Sequence, residues 1–301
     1  MVDVIRSVSE LRAWRSDRLA AGRKLALVPT MGSLHEGHLA LMRAARQRIP
    51  RDRGELAISI FVNPTQFDDP RDLQSYPRDE AGDLAKAATV GVDVAFCPRD
   101  PLELYPPGAS TWVDVAGLDE HLCGATRPGH FRGVCTIVCK LWQLFTPDLI
   151  AFGQKDFQQL AIVRRMHRDL FLSGEVLGVP TVREPDGLAL SSRNTRLSPT
   201  GRQAALAIPR FFATVRDRFD AGERDAATLI ADAEQALAPG RVHYVSVVDT
   251  EHLQPVVTLD SPTLVALAVV FDDVRLIDNL VLAQKPGERA TGREAAARDK
   301  A

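Results

Sequence analysis

The chain has 301 residues, 45% hydrophobic and 25% charged, which suits one large or two modest globular domains. A net charge of −2 implies no general affinity for nucleic acid, and no apolar run is long enough to span a membrane. The N-terminus lacks an apolar signal segment, so a cytoplasmic location is expected; Cys97, Cys123, Cys135 and Cys139 form no Cys-x-x-Cys pair and are read as reduced and packed.

Residues 8–21 read as a helix with Leu11, Trp14 and Leu19 inward. A short apolar run, residues 25–28, reads as a buried parallel strand ending at Pro29. Gly32 and Gly37 then allow tight turning and close approach to a ligand. From Gly37 the pattern turns helical, with Leu39, Met42 and Ala45 on one face. His35 and His38 therefore sit where a strand becomes a helix, a position with free N–H groups and a positive dipole end. An imidazolium there would add a cation and a directed donor. Three readings compete: metal ligands, although the zinc-protease pattern needs histidines four apart on an established helix; polar helix caps; or a nucleotide-phosphate site.

Residues 56–62 read as a second buried strand, ending in the Asn63-Pro-Thr-Gln66 turn. Residues 77–90 read as a helix and 92–96 as a third strand. Residues 98–132, rich in Pro and Gly, read as an excursion with a short strand over 111–115. A helix over 133–145, a strand over 149–152, the Gly153-Gln-Lys-Asp156 turn, a helix over 157–170 and a strand over 176–179 follow. Strands alternating with helices predict an α/β fold, a Rossmann-like doubly wound parallel sheet that binds ligands at its strands' carboxyl ends. Beyond a possible hinge at 180–187, helices over 199–219 and 226–237 and strands over 242–248, 264–270 and 274–277 predict a smaller α+β domain with antiparallel strands. The expected division is 1–181, then 182–283 acting as a lid, then a disordered tail, 284–301.

Lys155 could contact phosphates, and Asp156 could cap a helix or hold ribose or a metal. Ser191-Ser-Arg-Asn194 gathers two hydroxyls and a guanidinium, a set suited to triphosphate or equally to a polar surface loop. Gln66 and Gln159 can donate and accept toward a hydroxy acid. No Gly-Lys-Ser/Thr phosphate loop is present.

The histidine–x–glycine–histidine element resembles the nucleotidyl-transferase and class I aminoacyl-tRNA synthetase superfamily. The longer string Pro29-Thr-Met-Gly-Ser-Leu-His-Glu-Gly-His38 resembles the pantothenate synthetase (pantoate–β-alanine ligase) family. Further motifs follow in order: residues 60–67, Tyr76-Pro-Arg78, His130-Phe-Arg-Gly-Val134, residues 152–159 and residues 186–194. The resemblance implies ATP-dependent condensation of pantoate with β-alanine through a pantoyl adenylate, with Mg²⁺, in a homodimer, with no nucleic-acid or membrane partner. It implies an ATP site of Met31, Gly32, Ser33, Leu34, His35, Glu36, Gly37, His38, Gly153, Gln154, Lys155, Asp156, Val182, Leu190, Ser191, Ser192 and Arg193. His35, His38, Lys155, Ser191, Ser192 and Arg193 would neutralise phosphate charge, His38 as proton donor; Gln66 would touch pantoate and β-alanine, and Gln159 pantoate. Gln154 stands where glutamate is usual, Leu190 where methionine is usual, and Gly82 at one of two often acidic positions, leaving Asp83 as the expected metal ligand. The alternatives are a nucleotidyl transferase with another acceptor, or a non-catalytic nucleotide-binding regulator.

Overall fold

Alternating apolar runs and amphipathic segments build a six-stranded, all-parallel sheet covered on both faces, followed by a three-stranded antiparallel sheet. The computed structural model describes residues 2–68 and 70–283. The tail expected to be disordered lies outside the described residues.

The first half runs β1 (Asp3–Ile5), α1 (Val8–Ala20), β2 (Lys24–Thr30), α2 (Glu36–Arg48), β3 (Gly54–Ile60), α3 (Pro70–Ser75), α4 (Glu80–Thr89) and β4 (Val94–Phe96). It continues through α5 (Leu122–Thr126), α6 (His130–Phe145), β5 (Leu149–Gly153), α7 (Phe157–Asp169) and β6 (Glu175–Val179). The strand order is β1-β4-β3-β2-β5-β6. Strand β2 shows why such strands read as unbroken apolar runs. Leu25 and Leu27 face the layer of α1, α6 and α7, while Ala26 and Val28 face the layer of α2 and α4.

Several expectations need correction. Strand β1, unseen in the sequence, has three residues and pairs only with β4, too short for a periodic signal. Residues 111–115 form no strand; the Val113 N–H donates to Thr136 Oγ1 at 3.0 Å instead of to a neighbouring strand. On α1, Leu11 is buried but Leu19 is 54% exposed. Arg15 takes the inward place one turn after Leu11, and its guanidinium donates to the Phe145 and Thr146 carbonyls at the end of α6. Helix α4 begins at Glu80 because Asp79 caps it, its Oδ1 accepting from the Gly82 N–H at 3.0 Å. A Cβ at Gly82 would stand 2.1 Å from Asp79 Oδ2, so the glycine leaves room for this cap.

The second half runs α8 (Pro199–Ala204), α9 (Ala207–Asp220), α10 (Ala226–Leu229), α11 (Ala233–Ala236), β7 (Arg241–Asp249), β8 (Thr263–Phe271) and β9 (Val274–Leu282). The single helix expected over 199–219 is broken. Pro209 can make no N–H bond and is tolerated in the first turn of a fresh helix, α9. On β8, Val265, Leu267 and Val269 pack with α9, whereas Leu264 and Ala266 join the core of the parallel-sheet half. The antiparallel sheet is thus seated against the first half rather than tethered beside it.

Candidate active site

Strands β2 and β5 are neighbours, but the chain leaves them toward opposite edges of the sheet. The crevice outside the carboxyl ends of such a pair is where a doubly wound sheet takes its ligand. The end of β2 supplies the histidine turn, and the end of β5 supplies Gly153 and the single 3-10 turn Gln154–Asp156.

The histidine turn is bent by two successive left-handed residues, Gly32 at φ 81° and Ser33 at φ 51°. A carboxylate holds it there. Asp83, 1% exposed, accepts the Ser33 N–H at 2.7 Å and the Leu34 N–H at 2.6 Å, one on each oxygen. One turn along α4, Lys86 Nζ donates to the Leu34 carbonyl at 2.9 Å. The expectation of a metal ligand at Asp83 needs correction: the side chain braces the turn, and both oxygens are occupied in a closed environment. Among the described residues no group of three or more His, Cys, Asp or Glu side chains could hold a metal ion.

His35 is the N-cap of α2, and its Nδ1 accepts the Gly37 N–H at 3.1 Å. His38 Nδ1 accepts the His35 N–H at 3.3 Å, and the ring centroids lie 4.2 Å apart. The capping reading therefore holds, and it leaves each Nε2 available for the phosphate reading. Each ring caps through Nδ1 and keeps its proton on Nε2, free to donate outward. Burial, then the neighbouring His35, lowers the His38 pKa to about 3, and burial followed by Lys155 lowers that of His35. Both rings are neutral at pH 7, so the imidazolium expected here is replaced by two directed neutral donors.

Two cavities meet at Asp156 and Gln159, which line both. The smaller, of about 170 Å³, is lined by Met31, His38, Gln66, Tyr76 and apolar side chains of α6. Gln66 Nε2 lies 3.0 Å from Met31 Sδ, and Gln66 Oε1 accepts from Asn63 Nδ2 at 3.2 Å. Asn63, 1% exposed, also donates to the Gly133 carbonyl and accepts from Tyr105 and Thr65, so the Gln66 turn is anchored inward. Gly133 admits α6 here, since a Cβ would meet the Thr65 carbonyl at 2.3 Å. His130 Nδ1 lies 2.8 Å from the Gln66 carbonyl and Nε2 lies 3.2 Å from Arg127 Nη1, which makes Nδ1 the donor. Burial, then Arg127, pulls its pKa down to about 4.

The larger cavity, of about 440 Å³, is lined by Lys155, Ser191, Arg193 and the antiparallel sheet. Ser191 caps the 3-10 turn Ser192–Arg196, its Oγ accepting the Arg193 N–H at 3.2 Å. Leu190 N–H donates to the Val182 carbonyl at 2.9 Å, closing the hairpin before that turn. Asn279 on β9 donates from one amide to the Gln154 carbonyl at 3.0 Å and the Lys155 carbonyl at 2.8 Å. It thereby clamps the β5 turn from the second sheet. Of the residues expected at the site, Gly32, Ser33, Leu34, Glu36 and Gly37 form the turn itself. With His35, Gly153, Gln154, Val182, Leu190 and Ser192, they line neither cavity. Sequence reasoning assigned no role to Asn63, Tyr76, Arg127, His130 or Asn279, although Asn63, Tyr76 and His130 lie in motifs it had singled out.

A family model described as pantoate-beta-alanine ligase matches residues 3–281. This chain belongs to that family. The pantothenate synthetase of Heliobacterium modesticaldum is 51% identical over 282 residues, 93% of this chain and 99% of the relative. That of Anaeromyxobacter dehalogenans is 50% identical over 279 residues, 90% and 96% of the two chains. The crystal structure of pantothenate synthetase from Thermus thermophilus superposes with a TM-score of 0.85 at 43% identity, covering 93% of this chain and 99% of the other. A pantoate-beta-alanine ligase from Francisella tularensis, complexed with beta-gamma ATP and beta-alanine, gives 0.75 at 30% identity, covering 93% and 98%. As a member of this ligase family the chain is an enzyme of pantothenate biosynthesis.

Proposed function

We propose that the two cavities divide the substrates of an ATP-dependent condensation of pantoate with β-alanine, which proceeds through a pantoyl adenylate. The observation that carries this reading is the junction at Asp156 and Gln159 between a small chamber lined by the amides of Asn63, Gln66 and Gln159 and a larger one lined by Lys155, Arg193 and Arg196. A hydroxy acid suits the first: Gln66 and Gln159 can both donate to its carboxylate and accept from its hydroxyls. A carboxylate is inert toward amines because oxide would have to leave. Its attack on the α-phosphate of ATP makes a mixed anhydride and releases pyrophosphate. The amine of β-alanine then adds to the acyl carbon and AMP departs with one former carboxylate oxygen.

The Nε2–H groups of His35 and His38 would donate to charge that builds on the α-phosphate, and His38 as a neutral donor needs no proton transfer to do so. Lys155, Ser191, Ser192 and Arg193 would hold the β- and γ-phosphates, and Gly153, Gln154, Val182 and Leu190 would offer backbone groups to the nucleoside. Positioning of the reactants supplies much of the rate. Magnesium would enter as part of the nucleotide, held mainly by phosphate oxygens and water. The arrangement around Asp83 does not fit a protein ligand to it, and no step is routed through the ion.

The region 182–283 as a moving lid, a homodimer and a cytoplasmic location extend the same reading. Asn279, which fastens the second sheet to the β5 turn, is a contact that opening of such a lid would have to break. The deciding experiment labels the pantoate carboxylate with heavy oxygen and follows products by mass spectrometry. Pantoate-dependent pyrophosphate release with label in AMP is expected. Label in inorganic phosphate with ADP as co-product would overturn the adenylate, and pyrophosphate release that ignores pantoate would overturn the substrate.

A further inference from the structure

The 3-10 turn Ser192–Arg196 has three residues per turn, so residues three apart are eclipsed and the turn has three distinct faces. One face is spoken for. Asn194 Nδ2 donates to Glu184 Oε1 at 2.8 Å and the Ala189 carbonyl at 3.1 Å, and Leu197, one turn on, packs on the core of the antiparallel half. The Ser192 face closes on itself, since Thr195 Oγ1 donates to the Ser192 carbonyl. The third face carries Arg193 and Arg196, and both line the larger cavity with Lys155. Neither guanidinium has an ion pair or hydrogen bond with another described residue. By contrast, nearby Arg202 is held by Glu184 at 2.6 Å and Asp186 at 2.7 Å. Asp72 and Asp273 line the same cavity and pair with neither.

We propose that Arg196 is a second guanidinium for the β,γ-diphosphate end of the nucleotide, acting with Arg193 from one face of the turn. Two like charges stacked on one side of a rigid turn repel each other and are wasteful unless an anion lies between them. One 3-10 turn separates them by about 6 Å of rise, a span from which both can reach outer oxygens of one diphosphate. The turn is anchored through Asn194, so the backbone that carries the pair is held in place. The proposal rests on the adenylating reading and adds to it the group that stabilises the leaving pyrophosphate.

The test is Arg196→Gln, an exposed position where the fold is unaffected, with Arg196→Lys beside it. For Arg196→Gln, the inhibition constant for pyrophosphate and the KM for ATP should each rise about tenfold. Inhibition by AMP, which lacks the β- and γ-phosphates, should not change. Nor should the rate at which preformed pantoyl adenylate reacts with β-alanine. The lysine variant should recover part of the loss, as a point charge without the fork. Pyrophosphate inhibition within about twofold of wild type, or an equal loss of AMP binding, overturns the role of Arg196. That failure is separable from failure of the adenylating reading, in which wild-type enzyme itself releases no pyrophosphate on addition of pantoate.

Discussion

The histidine turn and the serine–arginine turn, both proposed to serve the nucleotide, are built on opposite principles. The first is bent by two left-handed residues, pinned by a buried carboxylate and armed with rings held neutral by burial. The second is a short 3-10 turn whose cations are exposed and unpaired. The contrast matches the role proposed for each. Charge that appears only in the transition state is best met by fixed dipoles that need no reorganisation. A diphosphate that arrives and leaves already charged is best met by cations at a surface water can reach.

The largest expected effect is at the fixed turn. His38→Ala should slow adenylate formation by about 3–4 kcal/mol of barrier, with the protein still folded. Single-turnover measurement of pyrophosphate release checks this, and a smaller loss than that of Arg193→Ala would reverse the comparison. Next comes Lys155→Ala, expected to slow the first half-reaction roughly thirtyfold and leave reaction of preformed adenylate with β-alanine near normal. Equal slowing of both halves would remove Lys155 from the pyrophosphate side.

Asp83→Asn tests the brace. A carboxamide can accept from one of the two N–H groups but turns its own donors toward the other. The expected loss is about 1–3 kcal/mol of stability, seen by denaturant titration, together with slower adenylation. Unchanged stability with a raised magnesium requirement would restore Asp83 as a metal ligand.

The last effect is one of pH. The pKa of His38 is lowered from 6.5 to about 3, so the unfolded chain binds a proton there more readily than the folded one between those values. This contribution to stability is complete above pH 6.5 and is lost as pH falls toward 3. Melting temperature should decline across that window, and less steeply in His38→Gln. Because the ring is already neutral, the ratio of kcat/KM for ATP between wild type and His38→Gln should stay flat from about pH 5 to 8. A ratio that collapses above about pH 6.5 would mean that an imidazolium is the active form.

Much of this molecule is local chemistry, and that part the sequence determined. Parallel strands buried on both faces read as apolar runs, and glycine, proline and histidine mark the turn at the end of β2. The residues of each motif are also contiguous, so the β5 turn and the Ser191–Asn194 loop could be singled out by type alone. Strand β1 was too short to carry a period, and the break at Pro209 depended on a proline shifting from helix interior to helix start. What tertiary structure alone decided joins residues far apart in the chain. Asp83 reaches Ser33 across 50 positions, and Asn279 reaches Lys155 across 124. The two chambers share a wall only because β2 and β5 are adjacent. The protonation state of His35 and His38 belongs to the same class. It is set by how much water the fold removes and by which N–H groups face Nδ1, and neither quantity is written in the order of the residues.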